Sequence, residues 1–435
     1  MAEELEQAAQ RGLFRNRAFL AIWSAQILSQ VAANAITFAL IVLVAELTKS
    51  NTSSSFLILF AIIPAVLFGI FAGVLVDRSD RKKVLVITNA LRAAAVLPLL
   101  LLGESVLTAY IVNFLVAAIT TFFVPAESAT LPNIVRKRDL MLANSLFTFT
   151  FNGAFLLGFI LLAPVVIRVA GYEALFLLIA AMFVAAAALC LTLPDTPRPA
   201  KRIGMEVAGA AVAETRASMS EALHYLRKAP LVAWCLVYVA LTYTLVAVAG
   251  ALAPGFVREV LGTDERNVII IVAPAGIGVV AGIGLLNLVR KWVGYPHAIG
   301  LGLGLAAVAL VGLAGARPVA GVFRRAASSA ELGEAFPFFV ITVGAIAFAF
   351  GISYAFITVP AMTLIQEQLH DEIRGRIFGV LNVLVSVFSF LPLVIVGPIA
   401  DVWGVAPVFV GFAIIVAAAW YFGRHERKSL ESVTA

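Results

Sequence analysis

The chain has 435 residues, 62% of them hydrophobic and 13% charged, with a net charge of +6 and a mean hydropathy of +1.02. Soluble domains average about 45–50% apolar and roughly 25% charged residues, so a soluble fold of this composition has too few polar side chains to cover its surface. A nucleic-acid binder is excluded on other grounds. The basic residues lie in short loops between apolar runs, which is the pattern of a membrane orientation signal and not of a phosphate-binding face.

Met1 to Gln10 carries three Glu and no basic residue, unlike the positive start of a secretory signal. Apolar segments follow at 19–46, 56–76, 84–103, 106–125, 145–167 and 173–193, then at 230–254, 267–289, 297–316, 336–360, 376–399 and 404–423. The first is too long for a signal core and reads as a spanning helix. One such helix needs about 20 apolar residues, so twelve fit the chain and leave no large soluble domain. Pro64, Pro98, Pro274 and Pro392 fall inside segments, where neighbouring helices satisfy the freed carbonyl. The expected fold is an all-α membrane protein of twelve transmembrane helices in two six-helix pseudo-symmetric bundles. Residues 1–194 form the N-terminal bundle, 195–229 a cytoplasmic central loop that opens on Pro194-Asp-Thr-Pro-Arg-Pro199, and 230–435 the C-terminal bundle. With both termini in the cytoplasm, 24 of the 31 Lys and Arg fall on that side and 7 on the other, as the positive-inside rule requires. That tally counts Arg92 with the basic loop that begins at Arg78. The outer loop 317–334, with Arg324 and Arg325, is unusually long and its sequence suggests no role.

The two halves echo each other. Pro125-Ala126 ends the fourth segment and Pro360-Ala361 the tenth, 235 residues later. Arg168-Val-Ala-Gly171 ends the fifth and Asp401-Val-Trp-Gly404 the eleventh, 233 residues later. Duplicated halves around a midplane site are a transporter device.

Catalytic and metal chemistry find no support. Cys190 and Cys235 both sit inside apolar runs and read as small hydrophobes. His224, His297, His370 and His425 are scattered at loops or helix ends. Neither a metal-ligand spacing nor a nucleophile–base pattern is present, so an enzyme, a metal and a cofactor are not expected. The run Gly300-Leu-Gly302-Leu-Gly304 lies within a spanning segment with no strand before it, which favours close helix packing over a phosphate loop.

Between the second and third segments stands Gly73-Val-Leu-Val-Asp77-Arg78-Ser-Asp80-Arg81-Lys82-Lys83. It resembles the G-x-x-x-D-R-x-x-R-K signature of the major facilitator superfamily, at the loop and on the side where that family carries it. Asp80 stands where many members have Gly. Phe123-Val-Pro125-Ala126-Glu127-Ser-Ala-Thr-Leu-Pro132 and Leu142-Ala-Asn144-Ser-Leu146 are similar to the region after span four in bacterial exporters. Arg374-Gly375-Arg376-Ile-Phe-Gly379 is similar to their entry into span eleven. The Asp77-Arg78-x-Asp80-Arg81-Lys82-Lys83 form is similar to that of macrolide-efflux-type and siderophore-exporter-type members. The resemblance implies that Gly73, Asp77, Arg78, Arg81, Lys82 and Arg376 form a conformational latch. Arg78 or Arg81 would meet Asp371 or Glu372 in one state only, which biases a two-state equilibrium. The corresponding loop of the second half, Gly284-Leu-Leu-Asn287-Leu-Val-Arg290-Lys291, has Asn where the acid belongs.

The resemblance further implies that spans one, four, seven and ten line a cavity. Gln26, Gln30, Asn34 and Thr37 are spaced 4, 4 and 3 apart, on one helical face, and amides of this kind face protein or water and not lipid. The cavity reading sets them beside Asn113, Tyr238, Thr242 and Tyr354; the competing reading is helix-to-helix hydrogen bonding. Trp234, Ser353, Thr358 and Thr120 lie on the same spans. Few charges and many rings suit a neutral or amphiphilic organic substrate. No span centre carries Asp, Glu or His, and the membrane-proximal acids are Glu46, Glu104, Glu127 and Asp401. Glu127 is the candidate proton site. The antiporter pattern of the family, an Arg within span four and a Gly-Pro in span five, is absent.

The expectation is a secondary transporter that exports amphiphilic, drug-like compounds by alternating access. It would act as a monomer in the bacterial inner membrane, with a proton or another ion as coupling partner. The alternatives are a siderophore or lysophospholipid transporter and, from another class, a non-transporting sensor or scaffold.

Overall fold

The computed structural model describes residues 12–101, 105–195, 221, 224–289, 293–326, 335–369 and 371–424; no strand occurs among them. Its helices are α1 (Arg17–Thr48), α2 (Asn51–Asp77), α3 (Arg81–Leu101), α4 (Val106–Ile134), α5 (Leu140–Phe155), α6 (Ala163–Leu191), α7 (Pro230–Phe256), α8 (Ile269–Val289), α9 (Tyr295–Ala326), α10 (Ala335–Gln368), α11 (Asp371–Trp403) and α12 (Val405–Phe422). A π-helical stretch, Leu156–Leu162, joins α5 to α6, and another, Val257–Leu261, extends α7. A backbone that hydrogen-bonds only to itself is what an apolar run requires in lipid.

Ten helical stretches among the described residues are long and apolar enough to cross a membrane. One of them, Lys137–Leu191, has 55 residues. At 1.5 Å per residue it would measure about 80 Å, against a hydrocarbon core of about 30 Å, so it must pass twice. Gly171 makes that possible: its backbone sits at φ 82, ψ 178 and breaks α6. Gly404 has φ 82, ψ 174 between α11 and α12. This region of backbone space is open essentially to glycine alone. The twelve apolar segments of the sequence fall on these helices apart from a few end residues, and α9 runs ten residues beyond its predicted end, through Ala326. Half of the predicted outer loop is therefore helix.

The chain divides into two compact units. Unit 1 holds Met1–Leu47 and Phe60–Glu214, and unit 2 holds Thr48–Leu59 and Thr215–Ala435. The first turns of α2 thus belong with unit 2. In unit 1, α3 packs against α4 and α6, and a core of Ile22, Leu85, Phe123, Ala126 and Ala186 fills the space among α1, α3, α4 and α6. Asn16 caps α1: its side-chain oxygen accepts from the Ala18 and Phe19 amides while its Nδ2 donates to the Ile134 carbonyl at the end of α4. In unit 2, α10 packs between α8 and α9. Gly278 and Gly351 let α8 and α10 touch backbone to backbone, the first under the Phe348 carbonyl and the second under that of Ala275. Gly302 likewise faces Phe356 and Ile357 of α10 and serves packing, whereas a side chain at Gly304 would meet open space. Leu101, Met141, Val169 and Leu288 stand outward and exposed; side chains of this kind have no place in water and suit lipid.

Candidate functional site

The signature loop is short because α2 ends at Asp77 and α3 begins at Arg81. Asp80 is the N-cap of α3: its Oδ1 accepts from the Lys83 amide at 3.4 Å and its carbonyl from Val84 at 3.0 Å. The departure from Gly at this position thus has a local reason, since Asp is among the strongest capping residues. Arg81 donates to the Ala129 carbonyl of α4 at 2.6 Å, and Lys82 reaches Asp195, just past α6, at 3.0 Å. The Lys82 hydrogen bond and charge hold the Asp195 carboxyl below its usual range. Asp77 is exposed, and Gly73 and Arg78 are half-buried. Arg81 and Lys82 thus bond within unit 1. The side chains of Asp371 and Glu372, the expected partners, and of the latch residue Arg376 lie outside the described residues.

Of the polar stripe on α1, Gln26 and Gln30 are buried and Asn34 and Thr37 half-buried. Gln26 donates to the Phe147 carbonyl of α5 at 3.2 Å, and beside it the Trp23 ring N–H donates to Thr150 at 2.8 Å. Asn34 and Thr37 bond back to the Gln30 and Ala33 carbonyls of their own helix. Asn34 also lies against Gly158 of the first π-helical stretch. Gln26 thus meets α5, and Asn34 meets the π-helical stretch that follows it. Asn113 is buried in α4. In unit 2, Tyr238 and Thr242 are buried on α7, Tyr238 beside Trp234 (5.7 Å between centroids) and against Gly423. Tyr354 of α10 meets Tyr243 of α7 edge-on at 6.2 Å. The stripe and Asn113 therefore belong to unit 1, and Tyr238, Thr242 and Tyr354 to unit 2.

The structure corrects the placing of Arg92. The charge tally counts it in the cytoplasmic loop, whereas it lies eleven residues past Arg81 in the middle of α3 and is 1% exposed. That is about 16 Å along the helix. Its guanidinium lies between the rings of Phe123 (4.2 Å) and Phe183 (4.8 Å) and donates to Asn89 Oδ1 at 2.8 Å. Ser29 of α1 donates to the same oxygen at 2.7 Å. Asn89 in turn donates to the Leu85 carbonyl and approaches Cys190 Sγ at 3.8 Å. Glu127 of α4 is 5% exposed and interacts electrostatically with Arg92 and Cys190. Its Oε1 and the Nε of Arg92 are buried without a hydrogen-bond partner. The sequence offers one cue to this cluster: Asn89-x-x-Arg92 places two polar groups on one face of an apolar segment. Proximity to the basic loop masks it. Among the described residues no group of His, Cys, Asp and Glu is arranged to hold a metal ion.

A second polar network lies in unit 2, where the α1–α2 turn meets the ends of α7 and α11. Asp401 accepts from Ser50 Oγ (2.6 Å), the Asn51 amide (2.6 Å), the Thr52 amide (3.0 Å) and Thr52 Oγ1 (2.6 Å). Asn51 Nδ2 donates to Glu259, whose other oxygen accepts from the Val405 amide at the start of α12. Buried Glu265 pairs with Lys49 at 2.8 Å and Arg258 at 3.4 Å. Lys49 holds a left-handed backbone, φ 53, which the tight turn requires.

Comparison with known proteins then decides the family. The family model of the Major Facilitator Superfamily matches residues 22–393. The chain belongs to this superfamily. It is a multi-pass membrane transporter and not an enzyme. Macrolide efflux protein A of Streptococcus pyogenes is 32% identical over 126 residues, covering 28% of this chain and 31% of that protein. The MFS-type transporter YfiS of Bacillus subtilis is 22% identical over 404 residues, 92% of this chain and 91% of that one. Among solved structures, the nucleoside transporter NupG aligns with a TM-score of 0.68 at 13% identity, over 94% of this chain and 98% of that chain. A bacterial homologue of the human lysosomal transporter Spinster aligns at 0.67 and 12%, over 94% and 97%. At such identities these two likenesses establish the superfamily fold.

Proposed function

We propose that this superfamily transporter exports amphiphilic organic compounds across a bacterial inner membrane by alternating access, with both termini in the cytoplasm and the monomer as the working unit. The observation that carries the reading is the relatedness to a macrolide efflux protein over 126 residues. The composition of the helices assigned to the cavity is compatible with it: α7 has no charged residue and carries Trp234, Tyr238 and Tyr243, and α10 adds Tyr354. Rings and amides without fixed charge suit a large apolar body with a few polar groups. Gln26, Gln30, Asn34, Thr37, Asn113, Tyr238, Thr242 and Tyr354 are the proposed cavity residues. The Gly73–Lys82 loop is assigned the conformational role, with Asp77→Asn expected to alter the inward/outward population.

The test is efflux from cells that express the protein, against a panel of erythromycin, a cationic dye, a siderophore and a lysophospholipid. Selective efflux of erythromycin or the dye supports the proposal. Movement of the siderophore or lysolipid alone replaces the substrate class, and movement of none of the four refutes the export reading.

A further inference from the structure

The cluster around Arg92 has no structural necessity. Removing a buried ion pair in favour of apolar residues is often neutral or stabilising, and a charge inside a membrane span marks a working site by default. Unit 1 nevertheless buries a guanidinium, 1% exposed, within electrostatic reach of a carboxyl 5% exposed but with no direct bond between them, and leaves one polar atom on each without a partner. The rest of the surroundings are built for the cation. Phe123 and Phe183 face it with their rings, and Asn89 Oδ1, oriented by Ser29, accepts its hydrogen bond. Ring faces stabilise a desolvated guanidinium through their electron-rich centres. The carboxyl receives no comparable support: its Oε1 accepts nothing.

This asymmetry matters chemically. A guanidinium keeps its proton under all working conditions, so only the carboxyl of the pair can change charge. Four helices pack around it. α3 brings Arg92, α6 brings the Cys190 thiol, α1 brings the neutral Ser29, and α4 carries Glu127 itself. The other acids of these helices, Glu46 and Glu173, lie seventeen residues along the chain from Ser29 and from Cys190, and the charged group that acts on Glu127 is Arg92. Along α4, Glu127 lies about 10 Å from the Ile134 end. It is inside the helix yet near the face that carries the signature loop.

Resting on the transporter reading above, we propose that Glu127 is the residue that binds the coupling proton, and that Arg92 is its positioning residue, the fixed positive charge within whose field the carboxylate lies when the proton has left. The step is a simple transfer. A proton from water adds to the Glu127 carboxylate to give the neutral carboxyl, which removes the negative charge that offsets Arg92; loss of the proton to water restores it. A fixed cation then alternates between a neutralised and an unneutralised state within unit 1, and a change of that kind biases a two-state transporter.

Two measurements test this, and the first needs no substrate. In infrared difference spectra of purified protein between alkaline and acid buffer, the carbonyl band of a buried protonated carboxyl is expected. It disappears in Glu127→Gln and survives in Glu127→Asp. Arg92→Leu keeps the band but moves the pH at which it appears. A merely structural ion pair gives no band, and an unmoved midpoint in Arg92→Leu removes that residue from the mechanism. The second measurement uses proteoliposomes and erythromycin. Glu127→Gln is expected to lose efflux driven by a pH gradient while it retains exchange of erythromycin between equal concentrations. Gradient-driven efflux at the wild-type rate in that variant overturns the proposal. If erythromycin does not move in the wild type, the export reading fails by itself and the infrared result still decides the proton site. Thermal unfolding of each variant separates a misfolded protein from an uncoupled one.

Discussion

Gly171 in unit 1 and Gly404 in unit 2 have the same backbone to within a few degrees, φ 82 with ψ 178 and 174. Three residues earlier the two units differ completely. Arg168 is exposed, whereas Asp401 gathers four hydrogen bonds at the start of α2. The other echo shows the same thing in reverse. Pro125-Ala126 is followed by buried Glu127, and Pro360-Ala361 by half-buried Met362; both alanines are fully buried. The third helix of unit 1 carries Arg92, while α9 has no Lys, Arg, Asp or Glu from Tyr295 to Ala316. Backbone-determining residues recur in both units, since a close packing or a positive φ leaves few substitutes. The charged chemistry differs, with buried Arg92 and Glu127 in one unit and a hydrogen-bonded network at the α1–α2 turn in the other.

The sharpest way to break this comparison is to remove the charge that only unit 1 carries. Arg92→Leu removes the cation from between Phe123 and Phe183, leaves Asn89 Oδ1 without that donor and Glu127 without the charge that offsets it, and is expected to cost up to about 3 kcal/mol. Replacing both residues by Leu is expected to restore most of that loss, because two apolar side chains demand no partner. Chemical unfolding of the single and double variants in detergent checks it, and a double variant as weak as the single one contradicts the isolated-pair picture. The shared feature should respond alike in both units. Gly171→Ala and Gly404→Ala each force a side chain into glycine-only backbone space, a loss of roughly 1–3 kcal/mol. Similar drops in melting temperature are expected, and a large difference between the two argues against equivalent geometry.

Smaller effects sharpen the unit 2 side. Asp401→Ala removes the acceptor for the first amides of α2, a capping loss of about 1–2 kcal/mol. Arg168→Ala, at the matching position of unit 1, is expected to change stability by less than about 0.5 kcal/mol, as surface substitutions do. Last comes Asp80→Ala, which removes the cap of α3 at a cost of about 1 kcal/mol, with Asp80→Gly milder by most of that amount. Amide exchange over the first turn of α3 reads this directly.

Much of the fold was legible because its cause is local. An apolar run of the right length can satisfy its backbone in lipid only as a helix, so the segments from 19–46 to 404–423 could be placed from composition. The Gly73–Lys83 motif gave the family for a similar reason: it is a contiguous loop. The helix end at Ala326 was missed, since Ala-Gly-Val-Phe-Arg-Arg reads as loop by hydropathy though nothing in it forbids a helix.

The sequence by itself determined the membrane-spanning class and the superfamily. Each depends on residue type and spacing along the chain. Only the tertiary structure decided that Arg92 is buried between Phe123 and Phe183 and close to Glu127, and that Gln26 reaches Phe147. The same holds for Asp401, which caps a helix that begins 350 residues earlier in the chain. In sequence, an Arg eleven residues after a basic loop looks like more of the loop. Its burial is set by where α4 and α6 pack on α3, and no local pattern encodes which side chains those helices bring.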